Sequence, residues 1–273
     1  MKTEHEIVLP LDERNLAHVL AALALAGVAA EETGGDGKAR CWWCRDGFGL
    51  RLALDQSTLF QGADTMLRSL RWVEGLGVDE KLNVAPKAHH GVLQRSHAVG
   101  TNPFLSLAAA GTESSLLKTF AGQLGPRKII AAQLGCLLSP SAKLDWLRQR
   151  AFGVASWGFD SSVGSHAYDL GFSSNDEGSG NADPIYPAIE LLSLAGAAFF
   201  STPHVWQTDE ESLRYVIWRD RLALALAPLA AAGCIEGLAE DRYALATRGA
   251  AYGKGAAYHY FPEASLITKY KSL

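Results

Sequence analysis

The chain has 273 residues, 48% of them apolar and 20% charged, with a formal charge of −4. That is enough chain to bury a large core, in one big domain or two ordinary ones, and the composition excludes wholesale disorder. Four cysteines exclude a disulfide scaffold at this length, and the most apolar run, 16–30, is shorter than the ~18–20 residues of a membrane span and contains His18.

The first residues carry Glu4 and Glu6 and no basic n-region, so a cytoplasmic protein with reduced thiols and no membrane association is expected. Residues 6–11 form a short apolar run and read as a first strand. Asn15 is placed to cap a helix over 16–31, on which Leu16, Leu20, Leu23 and Gly27 share one face, and the glycines at 34, 35 and 37 stop it. Strands over 38–45 and 48–54 flank Asp46-Gly47, a dipeptide suited to a two-residue hairpin turn. A second helix is expected over 57–74.

Between 84 and 106 helical periodicity is lost, and 91–93 and 103–107 read as short strands in polar loops. Helices are expected over 112–120 and 141–150, a strand over 166–172, and a flexible Gly/Ser-rich loop over 173–181. The remaining elements are a helix over 186–200, strands near 204–207 and over 213–218, and a buried helix over 221–232 with Pro228 as a kink. Helices and hairpins alternate irregularly, without strict strand-helix alternation, which favours α+β.

Two pieces recur. Ile189-Glu190-Leu191-Leu192-Ser193-Leu194-Ala195-Gly196 repeats Leu20-Ala21-Ala22-Leu23-Ala24-Leu25-Ala26-Gly27 at an offset of 169, and Arg221-Leu222-Ala223-Leu224 repeats Arg51-Leu52-Ala53-Leu54 at 170. Matching order and offset predict two quasi-repeated helix-plus-hairpin halves with additional helices, 1–172 and 173–273. Within the second helix, Glu190 alone lacks an apolar explanation.

Charge is unevenly spread. Residues 81–150 hold nine Lys or Arg against two acids, and 242–273 hold five against one. Phosphate binding needs only basic side chains on a common face, from which counterion release supplies affinity. The residues expected to contact nucleic acid are therefore Lys87, His89, His90, Arg95, Lys118, Arg127, Lys128, Lys143, Arg148 and Arg150, with Asn102 adding neutral contacts and Lys254 lying in a Gly- and Tyr-rich tail.

No catalytic constellation, metal site or cofactor is expected. Cys41 and Cys44 have the CxxC spacing of zinc and redox sites, but no second ligand pair exists, and buried thiols in a strand explain them. His89, His90 and His97 suit phosphate contact better than chelation, because adjacent histidines in a strand point to opposite faces. Ser161, Ser162 and Ser165 stand near His166 and Asp169 without a nucleophile elbow, and Gly253-Lys254 lacks P-loop spacing. Two other classes stay open: a small metal- or histidine-dependent hydrolase or nuclease, and a scaffold touching protein only.

The run Ile7-Val8-Leu9-Pro10-Leu11-Asp12 to Asn15, the small-residue helix and Trp42 in a hairpin resemble compact CRISPR-associated subunits of subtype I-G, formerly I-U. So do Pro187-Ala188-Ile189-Glu190-Leu191-Leu192, Leu213-Arg214-Tyr215-Val216-Ile217-Trp218 and Asn102-Pro103-Phe104. The resemblance implies a non-enzymatic, large-subunit-like component of a type I CRISPR surveillance complex. Its implied partners are guide RNA, target double-stranded DNA beside the flanking motif, other effector subunits and the helicase-nuclease, with a role in R-loop formation.

Overall fold

The computed structural model describes residues 4–35, 37–74, 91–95, 104–105, 126–140, 144–154, 160, 184–200, 212–238, 240–246, 248–252, 256–260 and 265–269. The helix expected over 112–120, the strand over 166–172, the loop over 173–181 and the strand near 204–207 lie outside them. In chain order the elements are β1 (His5–Leu9), α1 (Leu16–Glu32), β2 (Arg40–Cys44), β3 (Gly47–Leu52), α2 (Gln56–Arg68), β4 (Leu70–Glu74), β5 (Gly91–Arg95), β6 (Phe104–Leu105) and α3 (Pro126–Cys136). A 3-10 turn Leu144–Trp146 follows, then α4 (Pro187–Phe200), β7 (Ser212–Trp218), β8 (Leu222–Ala223), α5 (Ala227–Ala231), β9 (Glu240–Ala246), β10 (Arg248–Tyr252), β11 (Ala256–Tyr260) and β12 (Ser265–Lys269).

Every strand pairing among the described residues is antiparallel, in sheets ordered β1-β3-β2-β8, β12-β9-β7, β4-β5-β6 and β10-β11. The architecture is thus mixed helix and antiparallel sheet. No helix among the described residues is long and apolar enough to cross a membrane.

Helix α1 organises the core. Its residues are small or apolar on every side, and 12 of its 17 are buried, more than the single face expected. A helix that is apolar all round must be covered all round. Here β3, α2, α4 and α5 do so.

Helix α4 lies against α1 in parallel. The Ser193 hydroxyl shares its proton between Ala17 O at 2.7 Å and Ile189 O at 2.6 Å, and one turn on, Gly196 sits against the Leu20 carbonyl. Both contacts advance by three residues in the same direction, so the two N-termini lie at the same end. Parallel neighbours set like dipole ends together, a cost that acids near the N-termini offset. Glu190, fully buried in the first turn of α4, and the buried Asp160, bonded to the α1 cap, stand there.

The first sheet has two unlike faces, as a period of two dictates. Ile7, Leu50 and Cys41 align across it and are buried, as are Leu9, Phe48 and Trp43. Trp43 packs on Phe48 at 5.1 Å, and Trp218 meets Phe48 edge-on at 6.1 Å while donating to Cys41 O at 3.3 Å. On the other face Trp42 lies across Gly49, where any Cβ would strike its indole, and the Arg221 guanidinium covers it at 4.2 Å.

Several expectations are corrected. The second helix stops at Arg68, because the Ser69 hydroxyl bonds back to Met66 O at 2.6 Å and Leu70–Glu74 pairs with β5. Of the helix over 141–150, only the turn Leu144–Trp146 forms among the described residues, since the Gln149 and Trp146 side chains tie the stretch to 136–138. Residues 221–232 hold β8, a 3-10 turn Leu224–Leu226 and the short α5, with Leu226 and Leu229 exposed. Pro228 sits in the first turn of α5, where its missing N–H costs nothing, so it starts a helix rather than kinking one. The Gly- and Tyr-rich tail carries β10, β11 and β12, which no alternating pattern announced.

Candidate functional site

Beside the common end of α1 and α4 opens a cleft of about 350 Å³, lined by Pro10, His18, Leu147, Arg148, Arg150, Tyr186 and Ile189. Three segments build it. The turn after β1 is the first: Asn15 accepts the Ala17 N–H at 3.0 Å and donates to Asp160 Oδ1 at 2.7 Å, capping α1 as expected. The Asp12 N–H donates to His18 Nδ1 at 2.8 Å, so the ring takes its place at the cleft and, when neutral, carries its proton on Nε2.

The second segment is 144–151. Trp146 packs on Phe60 at 5.2 Å and donates to Leu138 O at 3.1 Å. Gln149 accepts the Leu138 N–H at 3.0 Å and donates to Cys136 O at 2.7 Å. Arg148 and Arg150 flank this anchored Gln149 in the chain. Both line the cleft and both are exposed.

The third segment is the entry to α4. Ala151 and Ile185 exchange both backbone hydrogen bonds, at 2.9 and 2.8 Å, in an antiparallel bridge. That register sets Arg150 opposite Tyr186, and its guanidinium carbon stands 6.0 Å from the ring centroid. Among the described residues neither Arg148 nor Arg150 has an ion-pair partner.

Burial pushes the His18 pKa down. Asp160 and Asp12 oppose this, Arg148 reinforces it, and the net direction is downward, which leaves the imidazole neutral near pH 7. The cleft therefore offers two fixed cations, one neutral donor and an aromatic face. Among the described residues its lining contains no carboxylate, serine or cysteine.

The basic residues expected from sequence are only partly brought together. Arg148 and Arg150 share the cleft, whereas Lys128 is exposed on α3 and does not line it. Arg95 falls in β5 and Arg127 in α3. Lys87, His89, His90, Asn102, Lys118, Lys143 and Lys254 lie outside the described residues, as do His97, Ser161, Ser162, Ser165, His166 and Asp169. Tyr186 and His18 were not among the expected contacts. The signal that could have found them is their position at the entries of the two matching apolar helices.

The CxxC pair is split by the sheet. Cys41 is buried in the core, where desolvation pushes its thiol up to about 12, while Cys44 lies on the opposite face and approaches Gly47 O at 3.3 Å. Three positions apart on a strand, the sulfurs cannot share one ion. All four cysteines are free thiols, and no group of three or more His, Cys, Asp or Glu among the described residues could hold a metal.

A second polar cluster joins the turn after β1 to the β7–β9 pair. Arg219 grips Glu13 with two nitrogens at 2.6 and 2.8 Å and reaches Asp241 at 2.6 Å, and Tyr243 donates to Glu13 at 2.8 Å. Tyr215 donates to Glu13 O at 2.8 Å and stacks on Tyr243 at 5.6 Å. Burial alone would lower the Arg219 pKa, but the bonds and charges of Glu13 and Asp241 outweigh it and raise it. The cluster is internally paired and holds the turn that carries Asp12 and Asn15. Comparison with protein-family models, curated proteins and solved structures finds no match for the chain.

Proposed function

We propose that the chain is a non-catalytic nucleic-acid-binding subunit that grips the phosphate backbone at the Arg148–Arg150 edge of the cleft. The observation that carries this reading is the pair of exposed arginines that line one cleft, free of ion-pair partners among the described residues. Guanidinium suits this task because its planar fork matches phosphate oxygens. Lys87, Arg95, Lys118, Arg127, Lys128 and Lys143 extend the basic surface in this proposal.

The test is a salt titration of oligonucleotide binding. Each phosphate contact contributes roughly 0.7–0.9 to the log–log salt slope. Replacing both Arg148 and Arg150 by Gln should weaken binding and flatten that slope by about 1.4–1.8. Unchanged affinity and slope would remove these residues from the interface.

The narrower part of the proposal rests on the resemblance to subtype I-G CRISPR subunits: a place in a type I surveillance complex, in contact with guide RNA, target DNA and neighbouring subunits. The segments that carry the resemblance include the α1 cap and the start of α4, which border the cleft. Co-expression with the other effector subunits should yield a complex containing guide RNA. A complex recovered without nucleic acid would favour the protein-only scaffold.

Quasi-repeated halves belong to the same proposal. What supports them is that the matching segments fall on two largely apolar helices packed in parallel, α1 and α4, and that the Arg51 and Arg221 pieces lie at the end of β3 and at the entry to β8 in one sheet.

A further inference from the structure

We infer that the cleft receives one unpaired nucleotide of a single strand, with its phosphate on Arg148 and Arg150 and its base against the Tyr186 ring. The inference rests on the nucleic-acid reading above and narrows it to a strand type. Its first support is size. A cleft of about 350 Å³ falls at the lower end of ligand pockets, roughly 300–1,000 Å³, and takes one planar group rather than a duplex edge.

The second support is the placement of Tyr186. Its side chain is half-buried at the entry of α4, next in the chain to the Ala151–Ile185 bridge, and lines the same cleft as both arginines. A phosphodiester alone needs no aromatic wall. A base does, because every base has a π-face and aromatic stacking supplies affinity without reading sequence.

The third support is the gap between Arg150 and Tyr186, 6.0 Å from guanidinium carbon to ring centroid. That is the outer limit of a direct cation–π contact, so the pair gains little from each other as they stand. A base layered between ring and guanidinium needs about 3.5 Å on each side, hence about 7 Å in all. Opening by about 1 Å requires only rotation of the exposed Arg150 side chain. His18 lines the same space, and its neutral ring supplies one N–H donor from Nε2. Leu147, Pro10 and Ile189 give the apolar walls.

The experiment uses the full chain, a fluorescein-labelled single-stranded 12-mer, the duplex of the same sequence, and thymidine 5′-monophosphate as competitor. The single strand should bind more tightly than the duplex. Tyr186→Phe should keep that preference, and Tyr186→Leu should weaken single-strand binding on the order of tenfold while moving duplex binding little.

If Tyr186→Leu leaves single-strand binding unchanged, or lowers both substrates equally, while the Arg148→Gln and Arg150→Gln variants still lose affinity, the nucleotide cleft is overturned and the phosphate reading stands. If the arginine variants lose nothing, both fail. Monophosphate binding tighter than the strand also overturns the inference, since the cleft would then serve a free nucleotide. Should Tyr186→Leu not fold, photocrosslinking of a bromouracil-containing strand to the unmodified chain decides the matter. An adduct on Tyr186 supports the inference, and adducts only elsewhere defeat it.

Discussion

Gly196 of α4 packs directly on the backbone carbonyl of Leu20 in α1, so closely that a Cβ at 196 would overlap it. The obstacle is backbone at the centre of the core, which cannot swing aside as the tip of a side chain could. The contact lies one turn beyond the hydroxyl of Ser193 at Ala17 O, and together they set how far apart the two buried helices run.

Gly196→Ala should therefore destabilise the fold although alanine is the better helix former. Intrinsic propensity favours the substitution by about 1 kcal/mol, whereas overpacking a filled core costs about 1–3 kcal/mol and more where backbone must shift. The net is a lower urea midpoint with an unchanged m-value. A midpoint equal to or above that of the unmodified chain would mean that the helices separate without cost, and the packing described would be wrong.

The Glu13–Arg219 pair leads to a second expectation. Arg219 is about one-third exposed, so solvent screens the charges, but its bonding to Glu13 is bidentate and shared with Asp241 and Tyr243. Arg219→Leu leaves two carboxylates facing each other and should cost about 1–3 kcal/mol. In a double-mutant cycle with Glu13→Gln the losses should fall short of additive by at least ~0.5 kcal/mol. Additive losses would show that the pair contributes nothing as a pair.

How much of this was legible depended on distance along the chain. Asn15 declared the start of α1 through local chemistry, and its side chain does accept the Ala17 N–H. The Asp46-Gly47 hairpin was also local, and erred by one residue because Gly47 already pairs with Cys44 in the ladder. Glu190 stood out as the one charge in an apolar helix, and it is buried in the first turn, where the helix dipole favours an acid. The cleft was not legible. Arg148 and Arg150 were flagged for charge alone, and the bridge that brings Tyr186 to Arg150 joins residues 34 apart, Ala151 and Ile185. Nor did any pattern announce that Gln149, between the two arginines, bonds Cys136 at the end of α3 and Leu138 just after it.

His18 provides a pH test of the same site. In the fold its Nδ1 accepts the Asp12 N–H, which requires that nitrogen to be unprotonated. Burial lowers its pKa below the ordinary value of 6.5, against the pull of Asp160 and Asp12 and with the help of Arg148. As pH falls past about 6.5 the unfolded chain takes up a proton at this position before the folded chain does. The stabilisation is thus complete above the unfolded value and is lost downward through the folded one, with a slope of at most about 1.4 kcal/mol per pH unit. His18→Asn keeps an acceptor near Nδ1 but does not titrate. Urea unfolding at pH 7.5, 6.5 and 5.5 should show the unmodified chain losing more stability than the variant over that interval. Parallel losses in the two proteins would place the titration elsewhere and leave His18 without a part in it.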